Sequence, residues 1–302
     1  MVPLLQAIKA SRQDHGHCME KFYSHVGISR QGFFKMAHRK QKERQMLQQI
    51  DGLVGKYRKS VDRRAGSRSL YYNLDIKVRL DIGVSKFERI MSEGGLSLAP
   101  MRTRVVTTRS SLQSWNYFNL INGFTLTRIN QVVAGDLTYV YIHGRRYLLF
   151  CLTDLYSARI VGHHIGLNMR AEDAKEALDM WVRLRKEENL KGCIHHTDGG
   201  SQYFSDLYLT ELQRLKAQIS RAENCLMNGY AEQRNGLIKH HLLPTIRTSN
   251  PNGLAREIKR IIHIYNHQRK QEELGWLSPC EFEEKTFQAT ARPKRILHNF
   301  ND

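Results

Sequence analysis

The order of predicted strands and helices after residue 130 constrains the fold of this chain more than any other feature. Three segments rich in β-branched and aromatic residues come first, at residues 131–142, 147–153 and 159–165. Each has the composition of a strand, and residues 143–146 have the composition of a hairpin turn. Because consecutive strands with short connections usually pair as neighbours, these segments predict a three-stranded meander.

Helices and strands then alternate along the rest of the chain. The segment "AEDAKEALDMWVRLRKEENL" has apolar residues spaced at i, i+3, i+4 and i+7, as in an amphipathic helix. The later segments are a short strand "KGCIHHT", a helix "SDLYLTELQRLK", a short strand "AQIS", and the helices "LMNGYAEQRNGLIKHHLL" and "PNGLAREIKRIIHIYNHQ". Three strands followed by this alternation form the element order of the ribonuclease-H-like α/β fold.

Three acidic residues stand at chemically significant places in this order. Asp136 lies within the first strand, Asp198 follows the fourth strand, and Glu232 lies on a later helix. The first and fourth strands are neighbours in such a sheet, so the three carboxylates are predicted to converge. Carboxylates that share a site repel one another and need a cation between them. Oxygen ligands favour Mg²⁺ or Mn²⁺, and a pair of such ions supports in-line displacement at phosphorus.

The same residues also have simpler interpretations. Asp198 and the glycine after it are equally consistent with a plain turn, since Asp-Gly is a common turn pair. On the helix of Glu232, the residues Asn228, Asn235 and Lys239 fall on one stripe with that acid. This stripe is either an ordinary solvent-exposed face or a surface that lies against a DNA backbone.

Positive charge is concentrated in the front half of the chain. The 302 residues carry a formal net charge of +18. Residues 1–130 contain 23 Lys and Arg against 9 Asp and Glu, a net of +14, whereas residues 131–302 contain 24 against 20, a net of +4. A basic region joined to a balanced one predicts polyanion binding, and nucleic acid fits best. An anionic membrane fits less well, because no apolar stretch is long enough to span a bilayer.

Two segments of the basic half have the pattern of helix-turn-helix units. In the first, Gly27 separates two helical segments and Ser29 is placed to cap the second. That second helix would present Arg30 and Lys35 to phosphates and base edges. An ordinary basic αα-hairpin is the alternative.

The second unit begins its last helix with an S-x-x-E capping box at Ser85 and Glu88, and a Gly-Gly pair ends that helix. Lys86 and Arg89 are its candidate DNA contacts. The basic run "KYRKSVDRRAGSR", which precedes the unit, is predicted to touch the phosphate backbone. A solvated charged face is the alternative for this run.

The cysteines and histidines give no metal-site pattern. The five cysteines never form C-x-x-C, so neither a disulfide framework nor a zinc ribbon is predicted, and a reducing cytoplasm is the default. His195 and His196 stand beside Asp198 and are candidates for supporting contacts. His263 and His267 lack a second ligand pair and are predicted to be surface residues.

The motifs around the acids resemble those of a known family. "GDLTYV" surrounds the first acid, "HTDGGSQYFS" the second and "NGYAEQRNGLIK" the third, with "LTDLYSARIVG" and "IHIYNHQRKQEELGWLSPCEFEE" as further matches. Together with "GISRQGFFKM" and "GSRSLYYNL" near the front, they resemble insertion-sequence transposases of the two-reading-frame type. The resemblance is to the larger, OrfB-type product, which carries a retroviral-integrase-like DDE catalytic core.

This resemblance implies a DDE recombinase in which Asp136, Asp198 and Glu232 are catalytic and bind two Mg²⁺ or Mn²⁺ ions. It implies supporting contacts to DNA from Asn228 and Lys239. The implied partners are the terminal inverted repeats of the element, target DNA, other copies of the chain on DNA, and the product of an upstream reading frame. No membrane association is implied, and the expected location is the cytoplasm, at the nucleoid. The 33 residues between Asp198 and Glu232 are two fewer than the family usually shows.

The predicted organisation has five parts. They are a helix-turn-helix-like segment at 1–60, a second at 61–100, a linker at 101–125, a ribonuclease-H-like DDE integrase core at 126–290 and a tail at 291–302. The predicted function is that of a DNA transposase, which hydrolyses a phosphodiester at the element's 3′ end and transfers the strand to new DNA. The alternatives are a catalytically inactive DNA-binding relic, a repressor of its own element, or a plain ribonuclease-H-like nuclease.

Overall fold

The structure is a computed structural model that describes residues 23, 27–99, 116–222, 229–246, 248, 250–289 and 293–297, a few of them by their backbone alone. The chain divides into two compact units. The first comprises Met1–Gly55 and Ile76–Ser97, and the second comprises Lys56–Asp75 and Leu98–Asp302. The division therefore differs from the predicted boundaries, because residues 56–75 join the larger unit.

The helices of the front half are α1 at Arg30–Ser60, α2 at Ser67–Asn73, α3 at Ile76–Leu80 and α4 at Val84–Glu93. The predicted cap of α1 is confirmed, because the Ser29 hydroxyl accepts a hydrogen bond from the backbone N–H of Gly32 at 3.0 Å. Except for Tyr23, the residues before Gly27 lie outside the described residues, and with them the first helix of the first predicted unit. None of the described helices is both long and apolar enough to cross a membrane.

The capping box predicted for α4 is wrong. Gly83, not Ser85, adopts the extended backbone of an N-cap, so the helix starts one residue before Ser85 and leaves that side chain inside the first turn. The helix ends at Gly94 as predicted, where an added Cβ would lie 2.3 Å from the Cδ1 of Leu47 on α1. The apolar positions of α4 are buried as predicted: Phe87, Ile90 and Met91.

A five-stranded sheet in the larger unit confirms the predicted fold class. Its strands are β2 at Val132–Ile142, β3 at Arg145–Asp154, β4 at Ile160–Gly166, β5 at Ile194–Thr197 and β6 at Gln218–Arg221. Their spatial order is β4-β3-β2-β5-β6. The first three strands are antiparallel, whereas β5 pairs in parallel with both β2 and β6. Two short strands, β1 at Thr125–Leu126 and β7 at Arg295–Ile296, pair separately, so β7 ties part of the predicted tail to this unit.

Helices cover both faces of the sheet. Helices α5 at Ala171–Arg185 and α6 at Asp206–Arg214 pack on the face that carries Val133. The other face carries Val140 and packs against α8 at Pro251–His267 and a π turn at Ile238–Leu242. That turn follows α7 at Gly229–Leu237, and α9 at Pro279–Gln288 completes this layer. Alternate residues of β2 therefore enter two separate hydrophobic cores, as the twofold periodicity of a strand requires.

A buried ionic network joins α9 to the sheet and to α5. Glu283 is 3% exposed and forms ion pairs with Arg185 and with Arg159, the latter at 2.6 Å. The Ser157 hydroxyl also donates a hydrogen bond to Glu283 at 2.7 Å. Burial by itself raises the pKa of this carboxyl. The two arginines lower the pKa by more than burial raises it, so the pKa of Glu283 lies below its ordinary value.

We expect Glu283→Gln to lower the free energy of unfolding by about 3–5 kcal/mol, because it leaves the buried Arg185 and the half-buried Arg159 short of a partner. Urea denaturation at pH 7 measures this loss. Since the pKa of Glu283 is lowered by folding, its stabilisation is present above the unfolded pKa of about 4.3 and fades as the pH falls below it.

The control is Glu187→Gln, which removes half of an ion pair with Arg214 whose side chains are 51% and 47% exposed. We expect that change to alter stability by less than about 1 kcal/mol. Equal losses in the two variants at pH 7 would contradict the structural role assigned to the buried network.

Candidate active site

The register between β2 and β5 places two of the predicted acids side by side. Gly135 pairs with Thr197 as the last pair of this parallel ladder, so Asp136 on β2 and Asp198, the residue after β5, follow that pair side by side. Neighbouring strands lie about 4.8 Å apart. Asp136 is 8% exposed and Asp198 is half-buried. Two of the three predicted ligands are therefore brought together by backbone pairing alone.

Asp198 also forms the turn that its sequence suggested. Its Oδ1 accepts a hydrogen bond from the backbone N–H of Gly200 at 3.1 Å. Gly199 between them has a φ of 83°, a left-handed conformation that favours glycine. The turn and the ligand interpretations of Asp198 are therefore compatible, because the turn fixes the carboxylate at the strand end.

His195 is a structural residue on the opposite face of the sheet from Asp136. Its two ring nitrogens bond to the carbonyl of Val133 at 3.1 Å and to the hydroxyl of Tyr208 at 2.7 Å. Burial lowers the pKa of His195 to about 4, so the ring is neutral at physiological pH. This ring also restricts the strand next to the first acid, since a Cβ on Gly135 would lie 3.1 Å from His195 Cε1.

His196 is buried too, and its Nδ1 lies 2.9 Å from the hydroxyl of Ser220 on β6. This contact ties β5 to its neighbouring strand. The predicted surface position of His263 and His267 is confirmed, because both are exposed and their rings stack at 4.3 Å.

Helix α7, which carries Glu232, is docked directly onto the first acid. The Asn235 side chain donates a hydrogen bond from Nδ2 to the Oδ2 of Asp136 at 2.7 Å, and Asn235 is 3% exposed. The next residue back, Arg234, pairs with Glu273. Residues 232 and 235 share one helix face, because positions three apart are neighbours on a helix. The structure describes the backbone of Glu232 but not its side chain.

One member of the stripe that was predicted to face DNA lies inside the protein. Asn235 is buried against Asp136, so its observed contact is within the protein and not with DNA. Lys239 lies in the π turn after α7 and is half-exposed. Asn228 lies outside the described residues. A 3.6-residue period could not predict which position of the stripe faces inward, because that depends on how the helix meets β2.

Two buried side-chain oxygens of this part of the structure have no hydrogen-bond partner among the described residues. The Oδ1 of Asn235 and the hydroxyl of Tyr203 are buried and lack a hydrogen-bond partner within the described part of the chain. Buried polar atoms of this kind are usually satisfied by water or an ion. Burial, then Tyr208, Asp136 and Asp198, raise the pKa of Tyr203 well above its ordinary value, so its hydroxyl remains a donor.

No group of three metal-binding side chains occurs among the residues whose side chains are described. Asp136 and Asp198 are two oxygen donors of the type that Mg²⁺ prefers. The integrase-like fold implies dependence on a divalent metal, and these two carboxylates fit that requirement.

The candidate DNA contacts of the front half differ in their surroundings. Arg30, Lys35 and Lys86 are exposed. Arg89 is exposed as well, but it forms ion pairs with Glu93 at 3.0 Å and with Glu43 at 3.2 Å. The charge of Arg89 is therefore already matched within its own unit.

We expect Asn235→Ala to lower the free energy of unfolding by about 1–3 kcal/mol, because Asp136 would lose a buried charge-assisted hydrogen bond. Chemical denaturation measures the change. The control is Gln233→Ala, an exposed position on the same helix, for which we expect a change within about 0.5 kcal/mol. The docking contact would be contradicted if both variants were as stable as the unmodified protein.

Comparison with known proteins places these residues in context. The family model described as "Integrase core domain" matches residues 127–224, which include Asp136 and Asp198. An insertion element IS600 protein of Shigella sonnei, described as an uncharacterized 31 kDa protein, is 32% identical over 274 residues, 88% of this chain and 98% of that protein. The transposase of insertion sequence IS629 from Shigella sonnei is 26% identical and covers 94% of this chain and 95% of its own length.

Among solved structures, the HTLV-2 integrase catalytic core domain in complex with magnesium is 17% identical with a TM-score of 0.42. It covers 52% of this chain and 97% of its own. The sheet order, the integrase core match and the near full-length similarity to an insertion-element protein agree. The chain belongs to the insertion-sequence transposases that carry an integrase core, a family of DDE-type polynucleotidyl transferases.

Proposed function

We propose that this transposase hydrolyses a phosphodiester at the 3′ end of its own insertion element and then joins the freed end to target DNA. The observation that carries the proposal is the register of β2 and β5, which puts Asp136 and Asp198 directly after the last pair of the parallel ladder, with the helix of Glu232 docked on Asp136. We assign Asp136, Asp198 and Glu232 as the ligands of two Mg²⁺ or Mn²⁺ ions. When bound, such ions stabilise the attacking and leaving oxygens of an in-line displacement.

The residues of the chain position this chemistry. Asn235 orients Asp136 by one hydrogen bond, and the backbone N–H of Gly200 orients Asp198 by another. The hydroxyl of Tyr203 is buried and protonated, and the charges of Asp136 and Asp198 contribute to the raised pKa that keeps it so. Fixing the ligands in advance reduces the rearrangement required at the moment of reaction.

Neither hydrolysis nor strand transfer requires a covalent protein–DNA intermediate. In the first step, the oxygen of water attacks phosphorus and the 3′ oxygen of the element leaves with a proton as a hydroxyl group. In the second step, this 3′-OH attacks a phosphorus of the target, and the 3′ oxygen of the target strand leaves. One phosphodiester is broken for each one formed in strand transfer, so that step requires no external energy source.

The test of catalysis is cleavage of a labelled element end by the purified protein with Mg²⁺ and with EDTA. We expect Asp136→Asn, Asp198→Asn and Glu232→Gln each to lose about 10³-fold or more in rate, since several kcal/mol of charge stabilisation are lost. The control is Asp206→Asn, an exposed acid in the first turn of α6, which we expect to retain its rate. All four variants should bind the end DNA.

Two outcomes would replace this proposal. Tight binding without a nick, even with the upstream reading-frame product added, would favour the DNA-binding relic or the repressor. A metal-dependent nick with no preference for the element end would favour a plain nuclease.

We further propose that the front half binds the terminal repeats through Arg30, Lys35 and Lys86, while Asn228 and Lys239 contact DNA near the cleavage site. The exposure of the first three residues and the net charge of +14 over residues 1–130 support this assignment. Strand transfer needs two ends held together, so the active form is a homo-oligomer on DNA, assisted by the upstream reading-frame product. Its site of action is the nucleoid of the bacterial cytoplasm.

Lys86 and Arg89 form a matched pair for testing this assignment, because they lie on one helix and differ in their ion pairs. We expect Lys86→Ala to weaken binding to the end DNA and to reduce the slope of log affinity against log salt by about 1. Arg89→Ala should change that slope less, since its charge is matched by Glu43 and Glu93. Fluorescence anisotropy across a salt series measures both, and an unchanged slope for Lys86→Ala would remove it from the interface.

A further inference from the structure

Asp62 lies at the centre of a hydrogen-bond network inside the larger unit. It lies outside any helix or strand, two residues after the end of α1, within the basic run that was predicted to touch the phosphate backbone. Its side chain has no solvent exposure. It accepts hydrogen bonds from the backbone N–H of Arg64 at 3.0 Å, from His241 Nδ1 at 2.8 Å and from Arg269 Nε at 3.0 Å. This acid therefore belongs to the protein interior.

The ionised form of Asp62 is the one that the network stabilises. Burial by itself raises the pKa of this carboxyl. The hydrogen bonds and charges of His241 and Arg269 lower the pKa by more than burial raises it, so the pKa of Asp62 lies below its ordinary value. A buried carboxylate of this kind is stable only while its donors remain in place.

The partner His241 lies in the π turn Ile238–Leu242, which immediately follows the helix of Glu232. The carbonyl of His241 also accepts a hydrogen bond from the backbone N–H of Arg63 at 3.1 Å. Residues 62 and 63 therefore hold this turn through both its side chain and its main chain. The turn is buried on its other side by Ile238 and Leu242, which pack in the core against α8.

A second set of contacts joins the chain that follows Asp62 to the loop after α8. Asn73 exchanges two hydrogen bonds with the backbone of Lys270, one received from its N–H at 2.9 Å and one donated to its carbonyl at 3.3 Å. The ring of Tyr72 stacks on Trp276 at 3.9 Å with an interplanar angle of 15°. Because Lys270 follows Arg269, residues 62–73 contact the loop after α8 at two points, through Asp62 and through Asn73.

We propose that Asp62 is a positioning residue for DNA cleavage, which fixes the end of the catalytic helix through His241. The proposal rests on the proposed function, because it assigns Asp62 to the placement of Glu232. The C-terminal end of α7 and the turn after it are then held at two points, by Asn235 on Asp136 and by His241 on Asp62. A displacement of about 1 Å in a catalytic group costs up to about 100-fold in rate, so a fixed helix end matters for the reaction.

The experiment compares His241→Ala with His241→Asn, whose side-chain amide can still donate to Asp62 from the place of Nδ1. His241 is a suitable site because its side chain is 26% exposed, so the change creates no sealed cavity. The control is Asp75→Asn, which alters an acid of the same segment that pairs with Lys270 at 2.8 Å and is 56% exposed. Asp62→Asn is a further variant for use if it folds.

The measurements are hydrogen–deuterium exchange of residues 229–242, cleavage rate at saturating end DNA, binding affinity for that DNA, and thermal unfolding. For His241→Ala we expect faster exchange confined to residues 229–242 and a rate lower by about 10- to 100-fold with unchanged DNA affinity. His241→Asn should restore most of the rate and protection. Asp75→Asn should match the unmodified protein.

Three outcomes would overturn the proposal. They are unchanged exchange at residues 229–242 in His241→Ala, a fall in rate no larger than the fall in folded protein, or an equal effect in Asp75→Asn. If the unmodified protein does not cleave element ends, the proposed function fails by itself, and the exchange data then decide whether Asp62 fixes this helix.

Discussion

The parallel pairing of β2 and β5 is the interaction on which the rest of the structure depends. Parallel neighbours need a crossover connection, and β3, β4 and α5 supply it between the two strands. A slip of one residue in this pairing would turn every side chain of β5 to the opposite face. His195 would then leave its bonds to Val133 and Tyr208, so the histidine secures the register that aligns the two acids.

The third element of the site depends on side chains and not on backbone pairing. Helix α7 is held by Asn235 on Asp136, by Arg234 on Glu273 and, just beyond it, by His241 on Asp62. Each contact joins the helix to a different part of the larger unit. The π turn after the helix has more residues per turn than an α-helix, so it rotates the following side chains about the helix axis. Ile238 and Leu242 thereby enter the core.

The charge of this basic chain has two distinct uses. Arginines of the larger unit serve the interior, where Arg185 and Arg159 neutralise Glu283 and Arg269 neutralises Asp62. Such pairs are costly to break because they are desolvated. In the smaller unit, by contrast, Lys35 and Lys86 are exposed and remain in water. Net charge alone therefore overestimates the surface available to a polyanion.

The sequence by itself determined the order of the elements, the fold class and the position of Asp136 and Asp198 at adjacent strands. Those features follow from local periodicity and from rules of strand connection, which act over short stretches. It was wrong about the cap at Ser85, because the backbone of Gly83 decides where α4 begins. Only the tertiary structure decided that Asn235 faces Asp136, 99 residues away, and that Asp62 meets His241, 179 residues away. Contacts over such separations arise from how packed elements meet, and no single segment encodes them.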